Sequence, residues 1–279
     1  MTQTTSATVV APDMLPTRRS GSSLIMRKVK RSLPSLGIVA VVAAFWEVAS
    51  HWFGVPAYIL PSLEAIGSKI VTRWSDTLAS ATWVTGKEVM GGYVLAVVVA
   101  LGIALLLHLS ESLRNAVYPL LIGSQAVPIV VIAPVLAIMF GYTITPKLIV
   151  VAFICFFSMV VNSLDGLSAV DPQYLRLMRT LDGSRWSTLR RVQIPAALPS
   201  MFTGMRISAV YAPVGAVFGE YAGSQDGLGY VMIQATPLMA TDMVFAAIVI
   251  LTIGAVALFL LVNVLERIMC PWARQSRVA

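Results

Sequence analysis

From Met243 to Leu265 the chain runs for 23 residues without a single charge, and no other feature limits its possible folds so strongly. A helix of that length covers a hydrocarbon core of about 30 Å, and soluble helices are rarely so long and so uniformly apolar. Other long apolar runs, each with no more than two charged residues, fall at about Leu33–Phe53, Glu88–His108, Ala116–Phe140, Pro146–Leu164 and Ala197–Glu220. In lipid every backbone N–H and C=O must be satisfied within the protein, which leaves helices as the economical way to span. The expectation is therefore an all-α, polytopic transmembrane bundle with six spans. A flexible cytoplasmic tail (1–32) precedes the transmembrane domain (33–266), and a second cytoplasmic tail (267–279) follows it.

Composition agrees with that placement. Apolar residues make up 57% of the chain and charged residues 12%, against roughly 25% charged in ordinary soluble domains. So few charges would leave a soluble surface with large apolar patches. The net charge of +7 does not indicate a nucleic-acid partner, because the basic residues cluster beside apolar runs instead of on a polar fold. Six lie between Arg18 and Arg31, one is Arg114, five lie between Arg176 and Arg191, and three lie between Arg267 and Arg277. Lys69, Arg73, Lys87 and Lys147 fall on the other side of a six-span layout. The positive-inside rule then puts both termini and the loop 166–196 in the cytoplasm.

Several residues within or beside the spans stand out. Glu47, near the end of the first, either snorkels to the interface or marks an interior face. Residues 54–86 read as an amphipathic piece on the outer surface. Pro119, Pro128 and Pro134 in the third span and Pro213 in the fifth remove backbone donors and bend helices. Such bends are tolerated against protein or a polar cavity, so Pro128, Pro134 and Pro213 are candidates to line a pathway. Glu220, in GAVFGEYAGS, is a further pathway candidate, the alternative being a carboxylate that caps a helix end. Residues 221–242, with YAGSQDGLGY, read as a turn and a short surface segment.

No enzyme chemistry is visible. Two cysteines (Cys155, Cys270) and two histidines (His51, His108) give no metal spacing and no disulfide framework. No phosphate-binding Gly-x-x-x-x-Gly-Lys-Ser/Thr loop occurs, and no cofactor is expected.

The loop 166–196 is too polar for lipid. Asp171-Pro172 has the form of a helix start, N-cap followed by proline. Val170, Tyr174, Leu177, Met178 and Leu181 follow as an apolar stripe, with Gln173, Arg176, Arg179 and Asp182 mostly off it. Gly183 ends or turns this helix. A second short helix starts at Ser184, carries Trp186, Leu189 and Val192 on one face, and stops before Pro195. Such a hairpin either rests on the bilayer or docks a cytoplasmic partner through its apolar face, its basic residues setting orientation.

The stretch RLMRTLDGSRWSTLRRVQIPAALPSMFTGMRIS resembles the cytoplasmic loop of permease subunits of bacterial ABC importers. That loop is summarised as Glu-Ala-Ala, three residues, Gly, nine residues, Ile, one residue, Leu-Pro, and its close falls on Val192, Ile194 and Pro195. The likeness extends from the first span, through PSLEAI and PIVVIAPVLAIMFG, to LERIMCPW. It is nearest the branch serving nitrate, sulfonate, taurine and pyrimidine thiamine-precursor importers. In that register Glu-Ala-Ala is replaced by Arg176, Leu177 and Met178, and the glycine by Asp182, with Gly183 next.

The resemblance implies a permease fold without catalytic activity. It also implies a second permease copy, two ABC ATPase subunits that contact Tyr174, Arg176, Leu177, Met178, Leu181, Asp182, Gly183 and Trp186, and an extracytoplasmic substrate-binding protein. A carboxylate at 220 would raise the barrier for an anion, and GEYAGS resembles the thiamine-precursor permeases. The favoured solute is thus a pyrimidine thiamine precursor, with aliphatic sulfonate, taurine or nitrate as alternatives. An ATP-independent secondary transporter and a membrane scaffold are the competing classes. Polar residues within the spans are too sparse for the first, and the second gives no reason for the hairpin.

Overall fold

The computed structural model describes residues 21–273 and is helical throughout. Most of the expected N-terminal tail and the last six residues of the C-terminal one lie outside the described part. The chain divides into two units, 1–54 and 55–279. In the first, α1 (Gly21–Trp52) extends twelve residues N-terminal of the expected span start at Leu33 and contains Pro34.

The second unit begins with α2 (Leu63–Arg73), whose N-cap Ser62 accepts the Ala65 N–H at 3.1 Å. A π-helical turn, Trp74–Leu78, carries it without a break into α3 (Ala79–Leu109). The expected surface piece and second span are therefore one helical run of 47 residues. Lys69–Ala79 holds no Pro or Gly, the residues that most readily stop a helix, so the run is not interrupted there.

The expected third span is broken. α4 (Glu111–Ser124) and α5 (Ile129–Phe140) meet at 99°. Pro128 is the N-cap of α5, at φ −64° and ψ 125°, and the residue before a proline is driven out of the α region. Pro119 and Pro134 lie inside their helices. α6 (Ile144–Ser168) follows, then α7 (Pro172–Thr180), α8 (Arg185–Thr188), α9 (Ile194–Tyr221), α10 (Leu228–Ala235) and α11 (Thr241–Met269).

Four described helical runs are long and apolar enough to cross a membrane: Leu63–Leu109, Ile144–Ser168, Arg185–Tyr221 and Thr241–Met269. The bent α4–α5 pair would be a fifth, while the apolar part of α1, Gly37–Trp52, is shorter than the others. Length and composition thus support four or five spans; the sixth expected from sequence is not established by them.

Small residues set the packing of α3, α6 and α9. Ala96, Ala100 and Ala104 on α3 and Ala209, Ala212 and Ala216 on α9 are fully buried. A Cβ on Gly204 would lie 2.9 Å from the Ser158 carbonyl oxygen, and one on Gly92 would collide with the Val151 side chain. Lipid offers apolar surfaces no reason to leave it, so close backbone approach and interhelical hydrogen bonds hold such bundles together. Tyr93 Oη donates to the Met205 carbonyl at 2.8 Å and Ser208 Oγ to the Cys155 carbonyl at 2.8 Å. Gly92→Ala should lower the melting temperature of the detergent-solubilised protein, overpacking costing about 1–3 kcal/mol. Gly102→Ala, which meets open space, should leave it unchanged.

Candidate functional site

Two groups of residues at opposite ends of the bundle have chemistry to offer. The first is the hairpin between α6 and α9. Asp171 caps α7 as expected, accepting the Gln173 N–H at 2.8 Å, with Pro172 in the first turn. The helix ends when Gly183 N–H reaches back to the Met178 carbonyl at 2.8 Å. The residue in the left-handed region is Asp182, at φ +52°, not Gly183. Gly183 is needed for space instead, since a Cβ there would meet the Met178 carbonyl oxygen at 2.9 Å. Asp tolerates that conformation better than most side chains, which is why the turn survives with Asp at the position where the family loop has glycine.

Ser184 then caps α8 by accepting the Ser187 N–H at 3.1 Å. Contrary to expectation, the second helix does not stop before Pro195. A π-helical turn, Leu189–Gln193, joins α8 to α9, and one helical run extends from Arg185 to Tyr221. Pro195 lies just past that turn, where the hydrogen-bond ladder is already wound wide, and such local π adjustments let a helix continue through a proline that lacks its N–H.

Both ends of the hairpin are anchored. Val170 and Leu189 are buried, Leu189 with Leu167, Ala197 and Met201. Arg114 donates to Ser168 Oγ at 3.2 Å, and His108 meets Gln193 at 3.2 Å. Between the anchors Tyr174, Leu177, Leu181 and Trp186 stand 55–68% exposed, and Met178 is half-buried. Val170 is therefore an anchor and not part of the exposed stripe. Arg176, Arg179, Arg185, Arg190 and Arg191 surround this face, exposed and without an ion pair among the described residues. An exposed aromatic and aliphatic cluster on an anchored, cationic hairpin has the composition of a docking surface.

The second group lies at the far end. Glu220, 1% exposed, accepts hydrogen bonds from the Thr85 hydroxyl and the Gly229 N–H. Thr85 Oγ1 also accepts the Leu228 N–H at 2.8 Å. Beside it Lys147 Nζ lies 2.7 Å from Glu88 Oε1 and 2.7 Å from Ser224 Oγ, and the Glu88 carboxyl lies against that of Glu220. Glu88 Oε2 is buried and has no partner among the described residues. Residues 221–242 are not merely a surface turn, because Leu228 and Val231 of α10 are buried against α2 and α11.

The four pathway candidates differ in exposure. Pro128 and Pro134 are exposed on α5 and its cap, whereas Pro213 and Glu220 are buried on α9. Pro213 lines a largely apolar cavity of about 410 Å³ with Thr85, Val89, Leu228, Ile250 and Leu258. Thr85, Glu88, Lys147, Gly227 and Gly229 were not singled out from the sequence. Glu88 and Lys147 each sit at the start of an apolar run, where a charge reads as an interfacial anchor and gives no hint of its partner. No cluster of three or more potential metal-ligating side chains occurs among the described residues.

Residues 92–275 match the family of binding-protein-dependent transport system inner membrane components. This chain belongs to that family. The permease is 37% identical over 229 residues to a probable ABC transporter permease protein of Haemophilus influenzae, covering 82% of this chain and 93% of that one. It is 31% identical over 251 residues to the formylaminopyrimidine transport permease protein ThiX of Halalkalibacterium halodurans, covering 90% and 100%. Its fold resembles a chain of the inward-facing MetNI methionine ABC transporter, with a TM-score of 0.61 at 15% identity over 69% of this chain and 95% of that one. The permease is thus a multi-pass inner-membrane transport subunit of the ABC importer class, and its family role is transport, not catalysis.

Proposed function

We propose that this permease forms half of the translocation pathway of an ATP-driven importer for a small heterocyclic solute, a pyrimidine precursor of thiamine. A second copy supplies the other half. Two ATPase subunits dock on the cytoplasmic hairpin, and an extracytoplasmic binding protein delivers solute to the far end. In this reading α1 is a span, the α4–α5 pair is another, and six crossings leave both termini in the cytoplasm. The distribution of Lys and Arg supports that orientation.

The exposed face of Tyr174, Leu177, Leu181 and Trp186 is the observation that carries the coupling. A groove on each ATPase would take the face, and acidic residues on its rim would meet Arg176 and its neighbours. Closure of the ATPases on ATP would then push on α7 and α8. Because α8 continues as α9, the push reaches the buried helix carrying Pro213 without passing through a flexible joint. Alternating access follows as rigid movement of helices about a central route.

For the solute, the supporting observation is the match to a formylaminopyrimidine permease along the whole length of that protein. The charge argument drawn from Glu220 does not help, because its carboxyl is engaged by Thr85 and Gly229 inside the wall. Measuring affinities of the cognate binding protein for hydroxymethylpyrimidine, taurine and nitrate tests the assignment. Tight binding of the pyrimidine is expected. Tight binding of taurine or nitrate, with none of the pyrimidine, would replace it with the corresponding anion.

A further inference from the structure

The N-terminus of α10 lacks a cap of its own, since Gly227, its N-cap residue, has no side chain and no local group takes the role. Its first two N–H groups are satisfied by other helices: Leu228 by Thr85 of α3, and Gly229 by Glu220 of α9. Thr85 Oγ1 in turn donates to Glu220 Oε1, so three helices meet through one hydroxyl and one carboxylate. Unpaired N–H groups at a helix start carry partial positive charge, and a buried carboxylate there is a strong partner.

The local sequence is shaped to admit that carboxylate. Gly227 sits at φ +111°, and a Cβ on either Gly227 or Gly229 would run into the Glu220 carboxyl group. Leu228, held between these glycines, is 2% exposed and forms part of the wall of the 410 Å³ cavity that Pro213 also lines. Fixing the start of α10 therefore fixes one wall of that cavity.

We propose that Glu220 and Thr85 are positioning residues that latch α10 across the far end of the bundle, and that this latch, not a solute contact, is Glu220's part in transport. The latch joins α10 to α3 and α9, and releasing it frees Leu228 from the cavity wall. The transport half of this inference rests on the importer reading; the latch itself does not.

Hydrogen–deuterium exchange on the full-length permease in nanodiscs reads the latch directly. In Glu220→Ala and Thr85→Val the amides of residues 228–231 should exchange at least about tenfold faster, the scale of leaving a buried N–H without its acceptor. Glu220→Gln and Thr85→Ser should stay near wild type, because an amide at 220 still accepts from Gly229 and can donate to Thr85 or to the unpartnered Glu88 oxygen. Gly229→Ala keeps both capping side chains but crowds them, so it should also speed exchange. Gly254→Ala, in open space, should not.

Uptake measured in the intact transporter should fall in the three variants that exchange faster and persist in the conservative pair. Unchanged exchange in Glu220→Ala and Thr85→Val would overturn the latch. A Glu220→Gln variant that altered discrimination between neutral and anionic solutes, with normal exchange at 228–231, would mean that Glu220 meets the solute and would also overturn it. Uptake that proceeds without any ATPase subunit would undo the importer reading and leave the exchange result standing.

Discussion

Leu177→Asp and Trp186→Asp should each abolish co-purification of the ATPase subunit with the permease while leaving the permease itself folded in the membrane. Both side chains are more than half exposed in the chain alone, at 55% and 62%, so an aspartate at either position breaks nothing internal. In a docked complex they would enter a desolvated groove, where truncating an aromatic or aliphatic anchor costs about 2 kcal/mol or more. That is roughly thirtyfold in affinity, and burying an unpaired carboxylate adds to it. Arg190→Ala, on the rim of the same face, should change co-purification only modestly and make it less sensitive to salt. Normal recovery of the ATPase with both aspartate variants would put the hairpin on the lipid surface instead.

Removing Arg206 alone should be the most destabilising single change within the bundle. Its guanidinium lies 2.6 Å from Glu266 of α11 and donates to Thr203 at 3.0 Å, both charged side chains being largely buried. Breaking such a pair strands the remaining charge and costs about 3–5 kcal/mol, whereas replacing both partners with apolar residues of similar volume is often neutral or better. Arg206→Met and Glu266→Met should therefore each lower the melting temperature in detergent sharply, and the double variant should recover most of the loss. If the double variant is as unstable as the singles, the pair is not acting as a coupled unit. The expected loss exceeds that of the Gly92 overpacking variant because a charge with no partner in a low-dielectric interior has no inexpensive relaxation.

The hairpin was the most legible part of the site. Asp171-Pro172, the stripe from Tyr174 to Leu181 and Ser184 could be read in order, because caps and amphipathic periodicity are local and depend on residues within a few positions of each other. The departures fall on prolines, whose effect on a helix depends on the backbone around them. Pro195 read as the end of a helix, yet the π-helical turn before it lets α8 run on into α9. Pro128 read as one kink among three, yet it marks a 99° break. Glu220 stands out as an ionisable residue in an apolar run, but its side-chain partner is far away in the chain: Thr85 is 135 residues distant. Nothing in local sequence names such a partner, and the pairing of Glu88 with Lys147, 59 residues apart, is hidden for the same reason.

By itself, then, the sequence determined that this chain lives in a membrane as a bundle of helices. Long apolar runs and clustered basic residues respond to the solvent around the chain, and that response needs no tertiary contact. It also determined that a capped polar hairpin would stand between the helices now numbered α6 and α9. Only the tertiary structure decided how long the helical runs are, where the third one breaks, and which way Glu220 faces. Those outcomes depend on what lies across a helix interface, where a missing Cβ admits a neighbouring backbone and a buried carboxyl group finds an N–H at the start of a helix that follows it in the chain.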